Sequence, residues 1–248
     1  MKRSLEGEGG AGFEPRPVLP GEDVTAEVVG TKVRLGAGLH HDGAAVRVCV
    51  SGRLSHKAPN KYWVESSTTR YAAAVGDTVI GIVTDRMSDA YRLDIHGTSS
   101  AVLPSLAFEG ASKRNKPNLA VGTLVFARVA AADKDLDAEL SCQVSGGPKK
   151  DWVTGECVFG ELKNGNVFDC SMRLARRLLS PECEVLRALG STLAFEVAVG
   201  CNGRVWVNSA KVKHTILISN AILASERCGT DDETRRMVKG VLQRFAED

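Results

Sequence analysis

At 248 residues the chain is too long for one small β barrel and fits two or three compact modules. Hydrophobic residues make up 43% of it, enough for buried cores, but no apolar stretch approaches the roughly 20 residues needed to span a membrane. The net charge of +2 is too small for a protein that holds duplex DNA by its own field, so any nucleic acid must be met through local basic clusters or with a partner.

The start, Met1 to Gly10, has no apolar core of a secretory signal, and its Gly and charge content marks residues 1–17 as a disordered tail. Seven cysteines, an odd number without a C-x-x-C pair, suit a reducing compartment in which they serve as small buried hydrophobes.

From Val18 the chain offers short runs of β-formers broken by turns. Val46-Arg47-Val48-Cys49-Val50 alternates, and Tyr62-Trp63-Val64 and Arg70-Tyr71-Ala72 flank a Ser/Thr-rich connection. Residues 18–73 are therefore expected to form a small N-terminal β domain. Residues 74–146 carry strand candidates at Asp77–Val83, Tyr91–Ile95, Ser100–Pro104, Leu124–Ala130 and Glu139–Val144. Five strands at this spacing, without a long helix, fit an OB barrel, whose face and loops commonly bind single strands.

Gly146-Gly147-Pro148-Lys149-Lys150 is a turn-rich junction, and residues 147–248 change to mixed α and β. Val167–Cys170 is a strand, and Ser171 caps a helix over Met172–Leu179, broken by Ser180-Pro181. A second short helix ends at Gly190, placed as a C-cap. Leu193–Val199 and Arg204–Val207 are strands joined by Gly200-Cys201-Asn202-Gly203, where Asn-Gly is expected to supply the positive φ angles of a tight hairpin. A long helix over Lys211–Arg227 follows. A final helix starts at the capping box Thr230-Asp231-Asp232-Glu233 and aligns Met237, Val238, Val241, Leu242 and Phe245 on one face.

This order of parts resembles the RNA exosome cap subunits of the exosome component three type. The stretches that carry the resemblance are Gly52–Lys57, Tyr62–Ser66, Gly76–Val83, Phe108–Asn118 and Gly200–Val207, in the family's order. The resemblance implies a multi-domain, β-rich plus α+β protein: an N-terminal β domain, an S-one-type five-stranded OB barrel and a C-terminal KH-type domain with an extra terminal helix. It also implies a non-catalytic, RNA-binding role. Cap subunits sit on a ring of RNase PH-like subunits and lead single-stranded RNA into a central channel, where docked nucleases carry out 3'-to-5' degradation and processing of rRNA and other RNAs. The implied partners are thus ring subunits, other cap subunits, RNA and, through the complex, nucleases, with no membrane. The implied locations are nucleus and nucleolus, and also cytoplasm.

Within that frame Lys113, Arg114 and Lys116 are the candidate RNA-binding residues, since phosphates need mobile or forked cations. A solvated loop, or one that docks on a protein neighbour, is the alternative. With 5% aromatic residues, and no ring on the strand Ser100–Pro104, binding should show little sequence preference; Phe108 is as readily core as platform. KH domains clamp RNA with a GXXG loop between two helices, yet that linker here is Leu179-Ser180-Pro181-Glu182. The G-x-x-G at Gly200, Asn202 and Gly203 resembles the family's structural turn, and Trp206 is expected to be core. Arg173, Arg176 and Arg177 mark either a solvated helix face or a contact with RNA or the ring.

No catalytic residue, metal or cofactor is expected. His40 and His41 are adjacent and would point to opposite strand faces, and Asp133, Asp135 and Asp137 lack the Gly and Glu of a calcium loop. The rival readings are a free-standing OB/KH RNA-binding factor in translation or ribosome maturation, and a hydrolase with an unrecognised thiol or carboxylate.

Overall fold

The computed structural model describes residues 14–28, 30, 32–66, 70–133, 136–144, 157–181 and 183–247. The Gly-rich start up to residue 13, the junction Gly146–Lys150, Asp135 and Glu182 lie outside them. The chain divides into two units, Met1–Ser67 and Thr68–Asp248.

In the first unit, strands β1 (Arg16–Val18), β2 (Arg34–Leu35), β3 (Leu39–Asp42), β4 (Ala45–Val48), β5 (Gly52–Lys57) and β6 (Lys61–Glu65) follow one another. A sheet of order β1-β5-β6-β2 and the β3–β4 hairpin enclose Val18, Val24, Val46, Val48, Leu54 and Val64. β1 begins inside the stretch assigned from sequence to a tail. Pairing with β5 holds it, and Arg16 reaches Glu22 at 2.7 Å and also Glu27, long-range contacts that no local alternation announces.

The second unit begins with a five-stranded barrel: β7 (Thr78–Arg86), β8 (Ala90–Asp94), β9 (Ala101–Pro104), β10 (Leu124–Ala131) and β11 (Ala138–Ser141). The order β11-β9-β8-β7-β10 is closed by β10–β11 pairing, and β12 (Gly160–Glu161) adds outside β10. Alternation does the sorting. Val125, Ala127 and Val129 of β10 point inward with Val79, Val83, Leu93, Leu103 and Leu140, while the residues between them face out. Tyr71, grouped by sequence with the N-terminal module, joins this barrel core and donates its hydroxyl to Asp77 at 2.7 Å.

Then come β13 (Asn166–Asp169), α1 (Met172–Leu178), α2 (Glu184–Gly190), β14 (Glu196–Val199), β15 (Arg204–Asn208), α3 (Val212–Ala224), a 3-10 turn (Ser225–Arg227) and α4 (Asp231–Glu247). This is the expected strand-helix-helix-strand-strand-helix order with a terminal helix. The sheet order is β13-β15-β14, and its apolar face meets Leu174, Leu178, Val185, Leu189, Ile218, Ile222 and Val238 from the helices.

Local details depart from expectation where side chains replace backbone devices. Gly190 is the last residue of α2, not its cap; Ser191 takes that place with an ordinary φ of −69° and donates its hydroxyl to Ala188 O. The capping box is offset: Thr230 Oγ1 accepts from Glu233 N–H, but the Glu233 carboxylate accepts from Gly229 N–H at 2.9 Å. In the β14–β15 hairpin only Gly203 of the Asn-Gly pair has positive φ, +80°.

At Gly203 a Cβ would also meet Cys170 O at 2.6 Å. Gly203→Val is therefore expected to cost about 3 kcal/mol, combining a left-handed β-branched residue with that close approach. Circular dichroism should show melting lowered by roughly 6–12 °C for a unit of this size. Unchanged melting would show that the hairpin tolerates a side chain there.

Candidate nucleic-acid interface

Between β9 and β10 the chain leaves the barrel over residues 105–123, and its ends are anchored by burial. Phe108 is 1% exposed, which settles it as core rather than platform, and bridges to Cys142. Tyr91 of β8 fixes the return: its hydroxyl donates to Pro117 O at 2.5 Å and accepts from Leu119 N–H at 3.4 Å. Arg86 donates to Asn118 Oδ1 at 2.5 Å, and Lys116 Nζ reaches Ser88 O at 3.2 Å and Asp89 Oδ1 at 3.4 Å on the β7–β8 turn. Ser112 and Asn115 close the tip by exchanging backbone hydrogen bonds of 2.9 and 3.1 Å.

Lys113 and Arg114 therefore stand exposed on an ordered turn, and neither side chain is joined to another described residue by a hydrogen bond or ion pair. Lys116, read alongside them, is occupied in holding the loop to the neighbouring turn. Arg86 is a loop-positioning residue that the sequence reading missed. Its signal was its place at the polar end of an apolar strand, but its link to Asn118 needs the closed barrel. Arg92 is exposed on β8, in register with Asp85 across the pair, so its charge is locally offset.

The G-x-x-G stretch lies elsewhere and does other work. The Asn202 amide donates to Ile80 O at 2.9 Å and Ile95 O at 3.1 Å, and its oxygen accepts from Ile80 N–H at 3.3 Å. Cys201 N–H donates to Thr78 O at 2.7 Å. Arg204, only 4% exposed, donates to Asp94 O at 2.6 Å and to the Asp94 carboxylate at 2.5 Å. Burial alone would raise the Asp94 pKa, but hydrogen bonds from Arg204 and from His96 N–H outweigh it and hold the carboxyl below its ordinary range. Trp206 is buried against Ile80 and Ala198, its indole N–H donating to Asn164 O at 2.9 Å. This hairpin welds the C-terminal sheet to the barrel and offers no phosphate site.

The helix face also resolves. Arg177 donates to Ser225 O at 2.5 Å and Cys228 O at 3.3 Å, closing the carbonyl end of α3, while Arg173 and Arg176 remain exposed.

Three of the thiols are poorly disposed to act as nucleophiles. Burial pushes the Cys142 and Cys201 thiols up, and burial with Glu226 and Asp169 raises Cys170 to about 12, far from the thiolate a nucleophile needs. His40 and His41 are both exposed on β3, and among the described residues no three His, Cys, Asp or Glu side chains converge on a metal position.

Three family profiles match the chain: "Mammalian exosome complex component RRP40, N-terminal" over residues 16–67, "Exosome complex component RRP40, S1 domain" over 71–152, and "KH domain" over 165–213. Exosome complex component RRP40 of Drosophila melanogaster is 42% identical over 215 residues, covering 86% of this chain and 90% of the relative. The Homo sapiens protein of the same name is 35% identical over 98% of this chain and 85% of its own. That of Saccharomyces cerevisiae is 35% identical over 91% and 96%. A solved structure described as an exosome complex RNA-binding protein superposes with a TM-score of 0.58 at 22% identity, covering 72% of this chain and 99% of that one, a likeness of fold.

Asn202→Ala strands barrel groups at Ile80 and Ile95 and should cost about 3 kcal/mol, seen as an earlier denaturant midpoint. Asp94→Asn should show a pH signature. Because the folded carboxyl titrates below its ordinary value, its contribution is complete above about pH 4 and is lost as pH falls through the folded value. The variant should be less stable than wild type at neutral pH, with the gap closing in acid. A gap independent of pH would show that Asp94 acts only through packing.

Proposed function

Because the chain belongs to the RRP40 family of exosome complex components, we propose that it is a non-catalytic, RNA-binding cap subunit of the RNA exosome. It assembles with RNase PH-like ring subunits and other cap subunits, and helps guide single-stranded RNA into the central channel. There the complex and its attached nucleases degrade or process rRNA and other RNAs from 3' to 5'. Work of this kind places it in nucleus and nucleolus, and also in the cytoplasm.

The observation that carries the reading is the loop tip at Lys113 and Arg114. A buried tyrosine, an arginine and a lysine order the loop, yet its two foremost cations have no partner among the described residues. Two forked or mobile cations on a fixed turn contact phosphate without reading a base. With Phe108 and Trp206 both buried, neither of these rings is free to stack a base.

In a reconstituted complex, Lys113→Glu with Arg114→Glu should weaken RNA binding about tenfold and flatten the salt dependence by roughly 1.4 in log–log slope, two single-strand phosphate contacts' worth. Lys116→Met should act less on slope than on loop order. RNA protection unchanged by the double variant would remove the loop from the RNA path. Native mass measurement of tagged chain from its source should give a many-subunit particle; a free monomer would favour an independent RNA-binding factor.

A further inference from the structure

We propose that a groove between β10, helices α1 and α2 and the free edge of β14 binds an extended apolar segment of a partner protein, with one carboxylate of that segment set against Arg128. The groove encloses about 340 Å³, and its walls include Thr78, Phe126, Phe159, Leu179, Leu186 and Val197. None of these is charged. Val158 is 66% exposed, Leu179 43% and Val197 37%, apolar surface left in water around the groove.

The first argument for an extended occupant is the strand edge. β14 is the outer strand of its sheet, paired on one side with β15. Gly200 N–H donates to Arg204 O at 2.9 Å, which fixes the alternation: Val197 and Val199 turn their backbone groups away from β15. Thr78 Oγ1 occupies Val199 O at 3.4 Å, leaving those of Val197 directed to the open side. An edge of this kind beside an apolar trough suits an added strand, with main-chain pairing for affinity and the trough for alternate side chains.

The second argument is charge. Arg128 follows Phe126 on the outer face of β10, in register with Thr78 on β7 and Ser141 on β11. Its Nε is buried without a hydrogen-bond partner, and no other described residue forms an ion pair with it. A guanidinium in that state is satisfied best by a carboxylate. A run of phosphates fits poorly, because the rest of the groove offers aliphatic and phenyl surface.

The test is selection of random displayed decapeptides on the immobilised full chain, counter-selected on Leu179→Glu, a change at an exposed helix end. Selected sequences, made as fluorescent peptides, should alternate apolar residues and carry an Asp, a Glu or a free C-terminal carboxylate. Binding should fall at least tenfold with Leu179→Glu and with Val158→Glu, both judged folded by circular dichroism. Arg128→Met should weaken acidic peptides about tenfold but leave their amide counterparts, Asp→Asn, unchanged. Failure to enrich peptides that depend on the groove, or peptides indifferent to both Glu variants, would overturn the proposal. So would labelled oligouridylate whose binding, unlike that of any peptide, is lost with Leu179→Glu. None of these outcomes bears on the cationic loop, so the two assignments stand or fall separately.

Discussion

Asn202 and Arg204 enter the barrel wall as donors to the carbonyls of Ile80, Asp94 and Ile95. Inside a protein such groups are costly to leave unpaired, and each donor here has no substitute if it withdraws. The C-terminal sheet therefore cannot slide on the barrel without orphaning buried groups on both. Gly200 permits the approach, since a Cβ there would sit 2.8 Å from Ile80 N. Arg204 is tolerated at 4% exposure because Asp94 neutralises it and the barrel carbonyls absorb its remaining protons.

That constraint reaches the cationic loop through β8. Asp94, at one end of the strand, answers the hairpin; Tyr91, a few residues earlier, holds Pro117 and Leu119 at the foot of the loop. One strand thus ties the welded seam to the element that presents Lys113 and Arg114. A displacement of the C-terminal sheet would pull on the same strand that positions the loop, so scaffold and loop tip are mechanically one piece.

Much of this was legible in the sequence because the barrel strands alternate cleanly. Leu124–Ala131 announces its buried face residue by residue. Ser171 before Met172 marked a helix start, and its hydroxyl does accept from Leu174 N–H at 3.1 Å. What stayed hidden was every contact between residues far apart in the chain. Asn202 looked like a turn former, since Asn-Gly is the common hairpin signal, whereas its value lies in an amide with donors and an acceptor that fit two barrel strands. Lys116 looked like Lys113 because both are lysines in one loop, and only the β7–β8 turn distinguishes them. Arg177 was grouped with Arg173 and Arg176 by helical spacing, yet the carbonyls it caps arrive from α3.

The proposed role asks for a weak hold, and the distribution of side chains favours one. Aromatic stacking adds about 1–3 kcal/mol per base and slows release, while single cation–phosphate contacts exchange readily and fade with salt. Here Phe108 lies in the barrel core and Trp206 at the seam, so neither ring is free to stack a base. Of the three cations in the loop, Lys116 braces it against the β7–β8 turn. A strand that must pass the surface without stopping is better served by a rigid, sparsely charged tip than by a deep pocket. Rigidity supplies direction because the tip cannot fold away, and sparse charge keeps each contact brief. Both properties descend from the same cause: a barrel so well fastened to its neighbour that the loop needs no ligand to order it.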